Sequence, residues 1–527
     1  MDSDGDGIGD LRGIIARLDH VAGLGIDAIW LSPHFNSPNV DNGYDIRDYR
    51  KVMAEFGTMA DFDALLAAIK ARGMRLILDL VVNHTSDQHA WFVESRASRD
   101  NAKRDFYIWR PGRDGGPPND WRSFFSGSAW TRDDATGDYY MHLFAEQQPD
   151  LNWENPEVRR EVHDLMRFWL DKGVDGFRMD VIPFIAKDPA FPDYPEALRS
   201  RPEFYHAGTP RLHEHLAELR REVLDPYGAV TIGEAFGVTM EQACLLTDEA
   251  RGELDMLIHF DAVRVDRGVA WRWQEWTLPQ LKAVFDGQDA AMGPGTWRTI
   301  ALSNHDNPRL VSHFGDDAEP WREPSAKALA TLLLTLKGTP FVYQGDEIAM
   351  TNFPFERIEQ FDDIEARNAW ASEVATGQVS PGDFLWHMNR TSRDHARTPV
   401  AWDDGPNGGF TAGHPWFAPH PDARRINAAA ALRDPGSIYH YYARFIALRK
   451  TRPELVYGDF RDLAPEHPQL YCYTRLIDGR GVLVLLNLSG APAALPAGIE
   501  PGALLIGTQD GPEGRQMRPW EARLHAV

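Results

Sequence analysis

Met74-Arg-Leu-Ile-Leu-Asp79-Leu-Val-Val-Asn83-His84 is a short apolar run that ends in a carboxylate, an amide and an imidazole. Three further segments repeat the design: Val174-Asp-Gly176-Phe-Arg178-Met-Asp180, Ala229-Val-Thr-Ile-Gly233-Glu234-Ala and Thr299-Ile-Ala-Leu-Ser303-Asn304-His305-Asp306. Helical stretches separate them, and strands alternating with helices imply a parallel sheet wrapped by helices. Charge at the exit of a buried parallel strand has no packing use, but the C-terminal rim of a βα barrel is where enzymes of that fold keep their chemistry. One such segment alone reads equally well as a surface turn. Four in order predict an α/β protein built on a (β/α)8 TIM barrel.

Working outward, Leu11, Ile14, Ile15, Leu18, Val21 and Ala22 form a helical stripe, and Ile26–Leu31 reads as the strand after it. Asn155-Pro156 opens another helix, with a cap followed by proline in the first turn. Its apolar face is Val158, Val162, Leu165, Met166 and Trp169, and Gly173 ends it. Further strands are expected at Asp255–Phe260 and Pro340–Tyr343, giving seven in all. An eight-stranded barrel needs one more before the first helix, so the first barrel strand is expected to be missing from this chain, as a shortened gene product.

Between His84 and Trp153 the periodicity fails in a stretch rich in Gly, Pro, Asp and Trp, too long for a plain connection. The expected organisation is therefore a catalytic barrel over 1–84 and 154–455, an inserted small domain over 85–153 after strand 3, and a C-terminal antiparallel β-domain over 456–527. Thr351 to about Gly436 reads as a second loop-rich region, and Ile438–Arg449 as the helix that closes the barrel.

The 527 residues carry 55 basic against 78 acidic side chains, a net charge of −23, which disfavours nucleic acid and anionic membrane as partners. Cys244 and Cys472 are the only cysteines, so neither a disulfide framework nor a zinc cluster is expected. No apolar run approaches the ~20 residues of a membrane span, and the N-terminus is not a signal peptide, so the expected location is cytoplasmic.

Glycosidic cleavage passes through an oxocarbenium-like transition state and needs one carboxylic acid and one carboxylate about the sugar. Asp180 and Glu234 end consecutive strands and are expected to face each other across the barrel mouth. Arg178, two residues before Asp180, points to the same side of its strand. It is expected to keep Asp180 ionised, as a nucleophile requires, while Glu234 takes a raised pKa to carry the proton. A structural ion pair inside the barrel is the plainer account of Arg178 and Asp180, and it loses force beside Glu234, His305 and Asp306. His84 and His305 are candidate donors to sugar hydroxyls.

Together these segments resemble the motifs of the α-amylase superfamily of retaining glycosidases, with the closest likeness to its oligo-1,6-glucosidase and α-glucosidase branch. The resemblance implies Asp180 as nucleophile, Glu234 as general acid/base and Asp306 as the third carboxylate, which holds substrate hydroxyls. Asp41-Asn-Gly-Tyr44-Asp resembles the segment whose Asp and Tyr hold the non-reducing glucose, and Gln148-Pro-Asp-Leu-Asn152 the motif that closes the inserted domain. Ser392-Arg393-Asp-His-Ala-Arg397-Thr-Pro resembles the segment that gives an arginine to the same sugar, matched here to Arg397. Pro183 departs from the Asn common in relatives, and the tryptophan-rich lead of the family is absent. Val181 follows the nucleophile. In the resembled branch, α-1,6 enzymes tend to have Val there and α-1,4 enzymes Ala or Thr.

Asp2-Ser-Asp4-Gly-Asp6-Gly-Ile8-Gly-Asp10 places oxygen donors at alternating positions, with a main-chain carbonyl at Ile8. Gly13 stands at the twelfth position, which excludes a complete EF-hand. A smaller site for structural Ca2+ (or Mg2+) through Asp2, Asp4, Asp6, Ile8 and Asp10 is expected, as the resemblance also implies, and no organic cofactor.

The activity expected is that of a retaining α-glucosidase acting on terminal non-reducing glucose of short oligosaccharides, α-1,6 linkage favoured, through Asp180, Glu234 and Asp306, with Asp41, Tyr44, His84, Arg178, Val181, His305 and Arg397 binding substrate. The alternatives are an α-1,4-glucosidase, a trehalose-6-phosphate hydrolase or a sucrose isomerase. A catalytically inactive amylase-like transporter subunit ranks far behind, because such subunits lack the full carboxylate set. The expected partner is a small oligosaccharide, with no nucleic acid and no membrane, in a monomer or weak homo-oligomer.

Overall fold

All seven expected strands form, six of them trimmed within the expected range and the last shifted to begin at Thr339. The computed structural model describes residues 1–268, 270–509 and 514–527. The chain divides into two compact units, one of Asp27–His259 with Pro294–Trp297, the other of Met1–Ile26, Phe260–Gly293 and Arg298–Val527.

The first of these holds strands β1 (Ala28–Leu31), β2 (Arg75–Leu80), β3 (Gly176–Met179), β4 (Val230–Glu234) and β5 (Met256–Ile258). They form one parallel sheet in sequence order. The β2–β3 register sets Asp79 opposite Arg178, and the β3–β4 register sets Met179 opposite Gly233. One residue further on, Asp180 and Glu234 leave the sheet side by side, on neighbouring strands rather than facing across it. Gly233 is closely packed: a Cβ there would come within 2.6 Å of a Leu257 methyl and 2.8 Å of a Leu254 methyl, so both leucines would have to shift.

The helix Pro156–Asp171 forms as its sequence predicts. The Asn155 side chain accepts the Glu157 N–H at 2.9 Å, and Val158, Val162, Leu165, Met166 and Trp169 are all buried. Within 85–153 lie the helix Ala90–Ala97 and a three-stranded antiparallel sheet, with Tyr139–Met141 between Trp109–Arg110 and Trp130–Arg132. A bridge between His84 and Asp150 ties the end of this stretch back to the exit of β2.

The other unit begins with the helix Leu11–Gly23, whose Asp10 side chain accepts the Gly13 N–H. Its buried face differs from the apolar stripe. Leu11 and Leu18 are buried, Ile14, Ile15, Val21 and Ala22 only partly so, and His20 is buried against Glu347 (3.0 Å). Strands β6 (Thr299–Ala301) and β7 (Thr339–Phe341) pair in parallel. The 351–436 region is more helical than its composition predicts, with helices Ile364–Ala369, Pro381–Thr391 and Ala428–Arg433. Its core of Phe353, Phe355, Phe361, Phe384 and Phe417, joined by Trp271 from outside the region, supplies the apolar burial that no regular period announced.

The C-terminal strands β8 (Asp459–Asp462), β9 (Leu470–Ile477), β10 (Arg480–Asn487), β11 (Leu504–Gly507) and β12 (Ala522–Ala526) form an antiparallel sheet in the order β8-β9-β10-β12-β11. Tyr471, Tyr473, Val482, Val484 and Leu524 share one core with the helices Arg322–Thr335 and Ile438–Lys450. Among the described residues, no helix is long and apolar enough to cross a membrane.

Candidate active site

Arg178 is the hub of the strand exits. Its guanidinium reaches Asp180 at 2.7 Å, Asp79 at 2.9 Å and Glu234 at 2.6 Å, and all four side chains are buried. Asp79 in turn accepts the Tyr44 hydroxyl at 3.0 Å and the Trp30 indole N–H at 3.1 Å. The Arg178 guanidinium also lies 4.9 Å from the Trp30 ring centre. Glu234 accepts a second donor, the Val181 N–H, at 2.9 Å. That N–H is aimed by an unusual backbone: Val181 is left-handed, with φ +36° and ψ +37°. For a β-branched residue this conformation costs on the order of 1–3 kcal/mol, and such strain clusters at functional sites.

Burial and Arg178 pull the Asp180 carboxyl in opposite directions. Burial is the largest influence on Asp180 and raises its pKa; Arg178 opposes the rise, while Glu234 and Asp79 add to it. One guanidinium cannot neutralise three buried carboxylates. It is shared between Asp180 and Glu234 at 2.7 and 2.6 Å, which leaves Asp180 with a raised pKa.

Close by in the same unit, the buried Asp41 carboxylate accepts the Gln148 amide at 3.1 Å. His84 sits among Asn83 (3.1 Å), the Tyr44 carbonyl (3.2 Å) and Gln148 (3.2 Å), and burial lowers its pKa. Asp41, Tyr44, His84, Arg178, Val181, Asp180 and Glu234 thus all fall within the first unit.

The expected residues of the second unit gather around Asp306. Its carboxylate meets His305 Nε2 at 3.1 Å and both Arg393 and Arg397 at 3.3 Å. Burial works to raise its pKa, but His305, then Arg393 and Arg397, hold it well below the usual carboxylate range. Arg393 also grips Asp363, and Arg397 approaches Asp363 at 4.0 Å and Asp394 at 3.7 Å.

In the acidic loop, carboxylate oxygens of Asp2, Asp4 and Asp10 come within 4.8 Å of one another, a spacing that suits shared coordination of a hard cation. The Asp6 carboxylate is not one of the three and instead accepts the Ile8 N–H at 2.8 Å. The loop is built around Asp2, which takes the N–H groups of Asp4, Gly5 and Gly7 and the Thr411 hydroxyl. Gly7 has φ +99°, and a Cβ there would fall 2.0 Å from the His414 carbonyl oxygen.

Three contributors escaped the sequence reading. Asp79 lies within the first quoted segment, and an acidic residue inside an apolar strand signals a cation on the neighbouring strand. Lys187, buried on Asn83 and Asp150, carried no motif. Arg393 stands four residues from Arg397 in the same segment, and spacing alone does not divide their roles.

Paired carboxylates at the ends of adjacent parallel strands, joined by one arginine, define a glycoside hydrolase. The alpha amylase catalytic-domain family matches residues 1–458, and the chain belongs to that family. It is 48% identical to an oligo-1,6-glucosidase of Parageobacillus thermoglucosidasius, over 100% of this chain and 96% of that protein. It is 44% identical to a trehalose-6-phosphate hydrolase of Escherichia coli (strain K12), over 93% and 88%. Its fold superposes with a TM-score of 0.97 on the crystal structure of the trehalulose synthase MutB from Pseudomonas mesoacidophila MX-45, at 48% identity, covering 100% of this chain and 96% of that one.

Proposed function

We propose that this chain is a retaining α-glucosidase that releases terminal glucose from the non-reducing end of short oligosaccharides, with α-1,6 links favoured. The observation that carries the reading is that Asp180 and Glu234 share Arg178 at the exits of adjacent strands. Asp180 attacks the anomeric carbon as Glu234 gives its proton to the departing glycosidic oxygen. Glu234, now ionised, takes a proton from water, whose oxygen displaces Asp180 from the same carbon. Two inversions leave the α configuration. A retaining pair works across roughly 5–5.5 Å, and that is the separation the reading expects of the two carboxyls when sugar is bound.

The permanently ionised Asp306, with Asp41, Tyr44, His84, His305 and Arg397, is proposed to hold substrate hydroxyls. Asp2, Asp4 and Asp10 are proposed to hold a structural Ca2+ or Mg2+ ion, which fits three converging carboxylates. No step of the chemistry passes through that ion.

The test is glucose release from isomaltose, maltose, sucrose, trehalose and trehalose-6-phosphate. The reading expects isomaltose to have the highest kcat/KM. The likeness to a trehalulose synthase favours sucrose isomerisation as the second reading, and sucrose converted to an isomer without free glucose would establish it in place of the first.

A further inference from the structure

His84 has two ring nitrogens and a choice between them. Burial lowers its pKa, so the ring is neutral near pH 7 and one nitrogen carries the only N–H. At Nε2 two partners compete at the same distance. The Tyr44 carbonyl, 3.2 Å away, can only accept, and so asks for a proton on Nε2. Gln148 Nε2, also 3.2 Å away, asks for the opposite. The Gln148 carbonyl oxygen is taken by the Ala145 N–H at 3.0 Å, so the nitrogen it presents to His84 can only donate. Nothing on that side of the ring decides.

The other side does. Nδ1 faces the Asn83 side-chain amide at 3.1 Å, and an amide can present either its oxygen or its nitrogen. The Asn83 oxygen is held by Lys187, whose ammonium lies 2.7 Å from it. An ammonium never accepts, so the amide cannot turn, and its N–H points at His84 Nδ1. Lys187 is itself fixed by an ion pair with Asp150 at 2.8 Å and by a hydrogen bond to the Phe184 carbonyl.

We infer that Lys187 is a positioning residue: by locking the Asn83 amide, it places the His84 proton on Nε2. The residue reaches this position because its segment follows the nucleophile-bearing strand and folds back over the exit of β2. The consequence for turnover rests on the proposed role of His84 as donor to a substrate hydroxyl. The tautomer itself does not rest on that role and is read without substrate.

The experiment is 15N NMR of the full-length chain labelled at histidine, with the His84 signals assigned by their loss in His84→Gln. Ring nitrogens with and without a proton differ strongly in 15N shift. Wild type is expected to show Nε2–H, and Lys187→Arg to retain it, because a donor to Asn83 remains. In Lys187→Met the amide is free to turn, Nδ1–H appears, and kcat/KM on an α-glucoside falls about tenfold, the worth of one hydrogen bond. Since burying Asp150 without its partner threatens folding, Asn83→Asp is the second variant. Its carboxylate keeps the pairing with Lys187 and accepts from Nδ1–H, so the proton is expected on Nδ1 in a folded protein. Nε2–H persisting in both Lys187→Met and Asn83→Asp overturns the inference. A tautomer that moves while turnover stays constant supports it and removes His84 from the substrate contacts instead.

Discussion

The Asp180 and Asp306 clusters use the same side chains to opposite ends. Around Arg178 one guanidinium faces three buried carboxylates, and burial prevails, so the pKa of Asp180 is raised. Around Asp306 a histidine and two guanidiniums reach one carboxylate, and charge prevails over burial even though Arg393 also meets Asp363 and Arg397 meets Asp363 and Asp394. The number of cations that reach an aspartate, rather than burial alone, decides whether its pKa rises or falls. A raised pKa suits a site that must hold and pass a proton. A lowered one suits a carboxylate that stays an acceptor.

Substitutions that change those contacts give the strongest tests. Asp180→Asn is expected to cost roughly 10⁴-fold or more in kcat, as loss of a nucleophile does; stopped assays of nitrophenol release from an α-glucoside measure it. Asp306→Asn is expected to cost less, about 10²–10³-fold in kcat/KM, because a buried hydrogen-bonding partner of the substrate is lost while the reacting pair is intact. Turnover of Asp306→Asn no better than that of Asp180→Asn contradicts the division of roles.

The pH profile separates the clusters more finely. A general acid must carry its proton in the active form, so activity is expected to fall on the alkaline side as that proton leaves. Asp79 helps raise the pKa of Asp180 and competes for Arg178. Asp79→Asn is therefore expected to move the alkaline limb of kcat/KM to lower pH. Asp306→Asn is expected to leave that limb in place. An alkaline limb that shifts equally in both variants dissolves the contrast between the clusters.

The smallest effect concerns linkage. Val181 is buried and left-handed beside the pair, and a methyl-sized change in such a place is worth about 1–3 kcal/mol. Val181→Thr is expected to shift the isomaltose-to-maltose ratio of kcat/KM toward maltose by about tenfold, at the low end of that range. An unchanged ratio removes Val181 from the linkage preference.

The parts of this account visible in the sequence are those that depend on local order. Strands β1–β7 each lie on a short apolar run, and the Asn155-Pro156 start of its helix follows from capping chemistry. Asp180, Glu234 and Asp306 stood out as charges at strand exits. What stayed hidden depends on register and burial. Asp79 gains its role only because the β2–β3 register sets it opposite Arg178. The raised pKa of Asp180 depends on the count of carboxylates around one arginine, which no spacing reports. Lys187 is sequence-distant from Asn83 and meets it only through the turn after β3. The Phe-rich core of 351–436 lacks the period of a helix or strand because its side chains come from many short elements.

The central claim is that Asp180 forms the covalent bond and Glu234 moves the proton. The direct measurement uses Glu234→Gln with α-glucosyl fluoride, whose leaving group needs no acid, so that the glucosyl-enzyme forms but its hydrolysis is slowed for want of a base. Mass spectrometry of the digested protein is expected to find one glucosyl unit on the peptide that contains Asp180. A glucosyl unit on any other residue, or a β-configured product with no adduct at all, contradicts the account.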